Sequence, residues 1–198
     1  TEDITENEKE IISSYLENGG SLMLVSDYNF SALPNLASVM DYYGVYAPDG
    51  IVVEGTSGMS LSGYPYYVLP EISSKSEITA PLSENSNYVL IPIAQAIAKN
   101  DHIRDTVEIT DLFTSSANSY IVDDTMSFEN MRTMEGPFSL GVSIEESYDD
   151  KNTKIVWLTS SYILDSDMDS LVGGTNSTMF INAVNYLCGN SDQISTTG

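Results

Sequence analysis

Apolar residues recur at helical spacing in three parts of the chain. Near the N-terminus, Thr5 and Glu8 have the spacing of a capping box, and the apolar stripe behind them comprises Ile11, Ile12, Tyr15 and Leu16. A second helix is predicted after Pro34, with Asn35 as its cap. A third stripe covers residues 179–187 and stops at a glycine, which is typical of a helix C-terminus.

Short apolar runs between these helices predict strands. The run at residues 21–27 is continuous, which favours a strand buried on both faces, and residues 51–53 repeat that pattern. Further strands are predicted at 88–93 and 107–113. Because only a short acidic link separates residues 140–144 from 154–159, these two runs are expected to pair as an antiparallel hairpin.

The alternation of helices with buried strands predicts an α/β fold. We expect a mostly parallel sheet flanked by helices, with the antiparallel hairpin extending one edge. A chain of 198 residues with 41% hydrophobic content suits one domain, spanning residues 1–198. Residues 55–87 are rich in Gly, Ser, Tyr and Pro, and their lack of periodicity indicates an irregular loop excursion.

The charge balance excludes some classes of partner. Seven basic residues against 29 acidic ones give a net charge of −22, so nucleic acid and anionic membrane surfaces are poor partners.

No membrane-spanning segment is predicted. Residues 88–98, the most apolar stretch, are about half as long as the roughly 20 residues of a spanning helix. The N-terminus is acidic where a signal peptide would be basic, so none is expected.

Few residues suit nucleophilic or metal chemistry. The single cysteine, Cys188, excludes an internal disulfide and a paired-thiolate metal site, and its place beside Leu187 predicts a buried core thiol. His102 lies in a polar turn, where a solvated or capping role is expected. No nucleophile elbow of the Gly-x-Ser-x-Gly kind is present, so no catalytic residue is assigned.

Polar side chains at the ends of predicted strands form the candidate ligand site. Ligands of parallel sheets bind beyond the carboxyl ends of the strands, which favours Asp27, Tyr28, Asn29 and Glu54. The nearby tyrosines Tyr64, Tyr66 and Tyr67 are a candidate recognition surface for a carbohydrate or a peptide. Two other interpretations remain open: the tyrosines fasten a long loop, or Asp27 and Glu54 serve a degenerate carboxylate-dependent hydrolase.

A partial calcium-loop pattern occurs late in the chain. Asp165, Asp167 and Asp169 have the spacing of the first three ligands, where carboxylates converge on one cation. The pattern then departs, because Ser170 stands at the glycine position and Asn176 at the position of the bidentate Glu. A solvated acidic turn is therefore favoured, and no metal or other cofactor is expected.

Six short motifs follow one another through nearly the whole chain, at residues 3–8, 15–24, 35–45, 112–116, 136–145 and 180–189. Their order resembles the extracytoplasmic domain of GldG-like, gliding-motility-type auxiliary proteins of ABC transport systems. In the last segment Tyr186 stands where the family has Trp. The resemblance implies a fold similar to class I glutamine amidotransferases without their catalytic Cys and His.

The same resemblance implies a location and partners. Family members are anchored by membrane helices on both sides of this domain and work beside an ABC permease and ATPase. The expected function is a non-catalytic module on the extracytoplasmic face of the membrane, acting through protein contacts or ligand sensing. The family also carries a strand just before the segment that matches residues 3–8, so one sheet strand is expected to be missing from this chain.

Overall fold

The computed structural model describes residues 2–85, 87–122 and 132–190. Its helices are α1 (Glu6–Glu17), α2 (Pro34–Tyr42), α3 (Ala80–Glu84), α4 (Ser166–Leu171) and α5 (Thr175–Leu187), with 3-10 turns at Phe30–Ala32 and Ser161–Leu164. Its strands are β1 (Ser21–Val25), β2 (Val45–Tyr46), β3 (Ile51–Val53), β4 (Ser60–Leu61), β5 (Tyr64–Val68), β6 (Glu71–Ile72), β7 (Ile91–Pro92), β8 (Ala98–Lys99), β9 (Val107–Thr114), β10 (Tyr120–Val122), β11 (Arg132–Glu135), β12 (Ser139–Tyr148) and β13 (Lys151–Leu158).

The main sheet has the strand order β1-β13-β12-β9-β6, and only the β1–β13 pair is parallel. The prediction of a mostly parallel, flavodoxin-like or amidotransferase-like sheet is therefore wrong. The physical reason is connectivity: parallel neighbours need a long crossover, whereas β12 and β13 are joined by a two-residue turn and pair antiparallel. The predicted hairpin is confirmed, but it forms the centre of this sheet and not its edge.

Several short strands form smaller antiparallel sheets. The predicted strand at 51–53 exists as β3, but it pairs with β10 outside the main sheet. The predicted excursion at 55–87 contains the β4–β5 hairpin, strand β6 and helix α3, so it is more regular than expected. The predicted strand at 88–93 shortens to the two residues of β7.

The two faces of the main sheet bury separate apolar cores. One core includes Met179 and Ala183 of α5, and the other includes Leu16 of α1 and Met40 of α2. Trp157 of β13 is fully buried in the second core, and its indole N–H donates to Ser26 Oγ at 2.9 Å. The helices therefore cover opposite faces of one sheet.

The first two helices begin differently from one another. The predicted capping box of α1 is present, and hydrogen bonds from the Thr5 backbone and side chain lower the pKa of Glu8. Asn35 is not the cap of α2, because Leu33 holds that position. Instead, the Asp3 carboxylate accepts hydrogen bonds from the backbone N–H of Asn35 at 2.8 Å and of Leu36 at 3.2 Å. The N-terminal segment thus caps α2 from a distance.

Strand β1 is the outermost strand on its side of the main sheet, so far as the structure describes the chain. The Tyr15 hydroxyl accepts a hydrogen bond from the Ser21 backbone N–H at 3.1 Å. A Cβ at Gly20 would stand 2.4 Å from the Tyr15 ring, so a larger residue there requires the ring to move. The additional strand implied by the family resemblance stays a prediction.

Candidate functional site

Asp27 lies just beyond the carboxyl end of β1, as predicted. Its Oδ1 accepts hydrogen bonds from the backbone N–H of Ser161 at 3.1 Å and from Ser161 Oγ at 2.6 Å. The carboxylate therefore holds the 3-10 turn after β13 against the end of β1. Tyr28 and Asn29 follow it and are exposed.

Glu54 follows β3 and is buried, with 5% of its surface exposed. Its carboxylate accepts hydrogen bonds from the backbone N–H groups of Thr56 and Ser116, both at 3.0 Å, and from Ser116 Oγ. The Thr56 and Ser116 hydroxyls also bond one another at 2.7 Å. Because a buried carboxylate needs donors, this set of bonds ties the segment after β3 to the loop after β9.

Among the described residues, Asp27 and Glu54 share no hydrogen bond and no hydrogen-bond partner. Asp27 follows a strand of the main sheet, whereas Glu54 follows a strand of the β11-β10-β3 sheet. Their hydrogen-bond partners are also separate, Ser161 for one and Thr56 with Ser116 for the other. A hydrolase needs both carboxylates at one bond of the substrate, so this arrangement does not favour the pair.

The three candidate tyrosines do come together. The ring centroids of Tyr66 and Tyr67 are 5.2 Å apart, and those of Tyr64 and Tyr67 are 5.5 Å apart. Tyr64 is half-exposed, whereas the other two are partly buried. The cluster thus presents one aromatic ring outward from strand β5 and packs the others as a support.

Two of the three aspartates of the partial calcium loop accept hydrogen bonds at the starts of helices, and the third, Asp167, is an exposed residue in the first turn of α4. Asp165 accepts hydrogen bonds from the backbone N–H of Asp167 at 2.9 Å and of Met168 at 3.2 Å, and so caps α4. Asp169 accepts from the backbone N–H and the hydroxyl of Ser177 in the first turn of α5. Within the described residues, no three metal-ligating side chains are grouped to hold an ion.

The side of α5 that faces away from the sheet carries exposed apolar residues, including the cysteine that was predicted to be buried. Cys188 is exposed, so the prediction of a buried core thiol is wrong. It follows Leu187 by one residue, and that step of about 100° turns its side chain away from the sheet. Ile181 and Val184 share this face, with 53% and 39% of their surfaces exposed. The spacing of these three residues was visible in the sequence, but their exposure was not.

A polar cleft that the sequence did not suggest lies beside the C-terminal end of α5. Its volume is about 280 Å³, and its walls include Ser143 and Glu145 of β12 and Tyr186 of α5. The Tyr186 hydroxyl donates to Glu145 at 2.6 Å, and burial together with this bond raises the pKa of Tyr186. The carboxylate is therefore engaged within the fold.

Comparisons with known proteins identify the fold and nothing finer. No protein-family model and no curated protein sequence matches the chain. A solved structure described as "mmIFT52 N-terminal domain" is similar, with a TM-score of 0.61 and 14% identity over 93% of this chain and 72% of that one. In the part of the chain that the structure describes, no helix has both the length and the apolar character needed to cross a bilayer.

Proposed function

We propose that this chain is a non-catalytic module that works through protein contacts, as the extracytoplasmic part of an ABC transporter auxiliary protein. The observation that carries the proposal is the apolar outer face of α5, formed by Ile181, Val184 and Cys188. Exposed apolar side chains grouped on one helix face are typical of a surface that a partner protein covers.

Two further observations support this proposal. The carboxylates at the strand ends, Asp27 and Glu54, are bonded to neighbouring loops and act as structural ties. The similar solved structure is itself described as an N-terminal domain, so this fold also occurs as part of a longer protein. The choice of ABC permease and ATPase as partners rests on the family resemblance of the sequence.

The test compares the proteins that copurify with wild type and with a variant of α5. The full-length parent is solubilised from its native membrane in mild detergent, captured, and its partners are identified by mass spectrometry. The variant Ile181→Glu with Val184→Glu places two carboxylates on the proposed contact face. Burial of one such side chain contributes about 1.5–3 kcal/mol, so recovery of the ABC subunits should fall at least about tenfold.

The matched control is Asn7→Glu with Ser14→Glu, which adds two carboxylates at exposed positions of α1. This control should recover the ABC subunits at the wild-type level, and both variants should unfold near the wild-type temperature. Equal recovery with all three baits would contradict the role of α5. Absence of an ABC ATPase and permease from the wild-type sample would contradict the proposed function itself.

A further inference from the structure

A second surface lies at the closed end of the β12–β13 hairpin. There the chain forms a cleft of about 340 Å³ lined by Glu17, Tyr42, Glu146, Tyr148, Lys151 and Thr153. Both α1 and α2 end at this cleft, at Glu17 and Tyr42 respectively. Since α1 and α2 pack on one face of the main sheet and α5 on the other, this cleft is separate from the α5 surface.

The electrostatics of the cleft favour a cationic guest. The C-terminal ends of two helices contribute partial negative charge, and Glu17 adds an exposed carboxylate. The hairpin turn beside the cleft consists of two aspartates, Asp149 and Asp150. Four carboxylates thus face two cations in and around the cleft: Glu17, Glu146, Asp149 and Asp150 against Arg104 and Lys151.

Arg104 demonstrates how this region holds a basic side chain. Its guanidinium carbon lies 4.0 Å from the centre of the Tyr42 ring. Its Nε and Nη2 donate to Glu146 at 2.7–3.0 Å, and its Nη1 donates to the Tyr42 carbonyl at the end of α2. An aromatic face, a carboxylate and a helix-end carbonyl therefore bind one guanidinium here.

Of two further tyrosines near the cleft, one is exposed and the other is buried. Tyr148 is 69% exposed and provides an aromatic face on the hairpin side of the cleft. Tyr43, next to Tyr42, is almost fully buried, and its hydroxyl has no hydrogen-bond partner among the described residues. Burial above all, and then the charges of Glu146 and Glu17, raise the pKa of Tyr43. The ring of Tyr43 already lies 5.5 Å from the Arg104 guanidinium carbon and meets the Tyr42 ring edge-on, so Tyr43 supports the first cation and offers no contact to a second.

We propose that this cleft binds an arginine side chain of a partner protein, which inserts between Tyr42 and Tyr148 and pairs with Glu17. The acidic surroundings and the aromatic faces select a planar cation, as the bound Arg104 illustrates. A partner with a basic segment is also the natural complement of a chain with a net charge of −22.

The test is an NMR titration of the chain with a defined peptide, acetyl-Gly-Gly-Arg-Gly-Gly-amide. The comparison peptide carries citrulline, which has the shape of arginine without its charge. We expect saturable shifts of the backbone amides around Tyr42 and Tyr148. Because a charged guanidinium gains from both the ring and the carboxylate, the arginine peptide should bind at least about fivefold more tightly.

Paired variants separate this site from general attraction to an acidic protein. Tyr148→Ser and Glu17→Gln should each weaken binding about threefold to fivefold, since each removes one contact to the cation. Tyr162→Ser and Glu10→Gln change exposed residues of the same types outside the cleft and should leave the affinity unchanged.

Three outcomes would overturn the proposal. The first is equal binding of the arginine and citrulline peptides, and the second is equal weakening by Glu10→Gln and Glu17→Gln, which indicates diffuse attraction. The third is the absence of saturable shifts near the hairpin. The α5 surface takes no part in this titration, so failure here and failure of the proposed function are distinguishable.

Discussion

The buried carboxylate of Glu54 accepts three hydrogen bonds, so we expect its substitution to lower the stability of the fold. In Glu54→Gln the amide nitrogen replaces one accepting oxygen, so at least one donor of Thr56 or Ser116 loses its partner. The free energy of unfolding should fall by about 1–3 kcal/mol in urea denaturation. Glu71→Gln, at an exposed position of β6, is the control and should stay within about 0.5 kcal/mol of wild type. Equal stability of both variants would show that Glu54 is not a structural tie.

The sequence predicted which residues stand at the strand ends but not what they contact. Asp27 and Glu54 do follow β1 and β3, as their positions after apolar runs indicate. Their partners, Ser161 and Ser116, are 134 and 62 residues away in the chain. Local patterns carry no information about contacts of that separation, which depend on how the sheets assemble. The sequence therefore predicted which residues belong to the candidate site, but not how those residues are arranged in space.

At the level of elements, the β12–β13 turn stores strain that a substitution should relieve. Asp149 and Asp150 have φ values of 51° and 61°, a left-handed region that costs a non-glycine residue roughly 1–2 kcal/mol. Two such residues joining antiparallel strands suit a tight hairpin turn, for which glycine is favoured at the second position. Asp150→Gly should therefore raise the free energy of unfolding by about 0.5–1 kcal/mol in urea denaturation.

The control for this substitution is Asp105→Gly. Asp105 is exposed and lies outside the left-handed region, so glycine there only increases the freedom of the unfolded chain. It should leave the stability unchanged or lower it. If Asp150→Gly also lowers the stability, the aspartate side chain contributes more to the turn than its backbone strain costs.

Elements with local determinants were predicted correctly, and the pairing of distant strands was not. The capping box of α1 and the β12–β13 hairpin depend on residues close in the chain, and both are confirmed. The apolar run of residues 22–25 has the same pattern whether the neighbouring strands are parallel or antiparallel. The apolar triplet of β3 likewise gave no sign that it belongs to a smaller sheet. The prediction of the fold class was wrong because it depended on how distant strands pair.

For the whole molecule, the central antiparallel sheet separates two surfaces of different character. The face that carries α5 exposes apolar side chains, whereas the opposite side offers an acidic cleft between two helix ends and the hairpin. The cleft lies at the end of the β12–β13 hairpin, and α5 packs on the sheet that this hairpin helps to form. An apolar contact and a charged contact on opposite faces would let the module bind two partner segments at once.

The excess of negative charge should make the stability of the whole molecule depend on salt. The described ion pairs, such as Arg104–Glu146 and Lys99–Asp111, are partly exposed, and exposed pairs contribute about 0–1 kcal/mol each. Screening weakens these attractions, but it also weakens the repulsion within a net charge of −22, and the repulsion involves many more pairs. Repulsion should therefore dominate the response to salt.

Raising NaCl from about 10 mM to about 150 mM shortens the screening length from roughly 30 Å to about 8 Å, less than the width of a domain. The unfolding temperature should rise, by roughly 2–4 °C for each 1 kcal/mol of repulsion removed. A parallel series in KF controls for specific ion binding and should give the same rise at equal ionic strength. A temperature that stays constant or falls would show that the ion pairs outweigh the net repulsion, and that the acidic surface is arranged to limit its own repulsion.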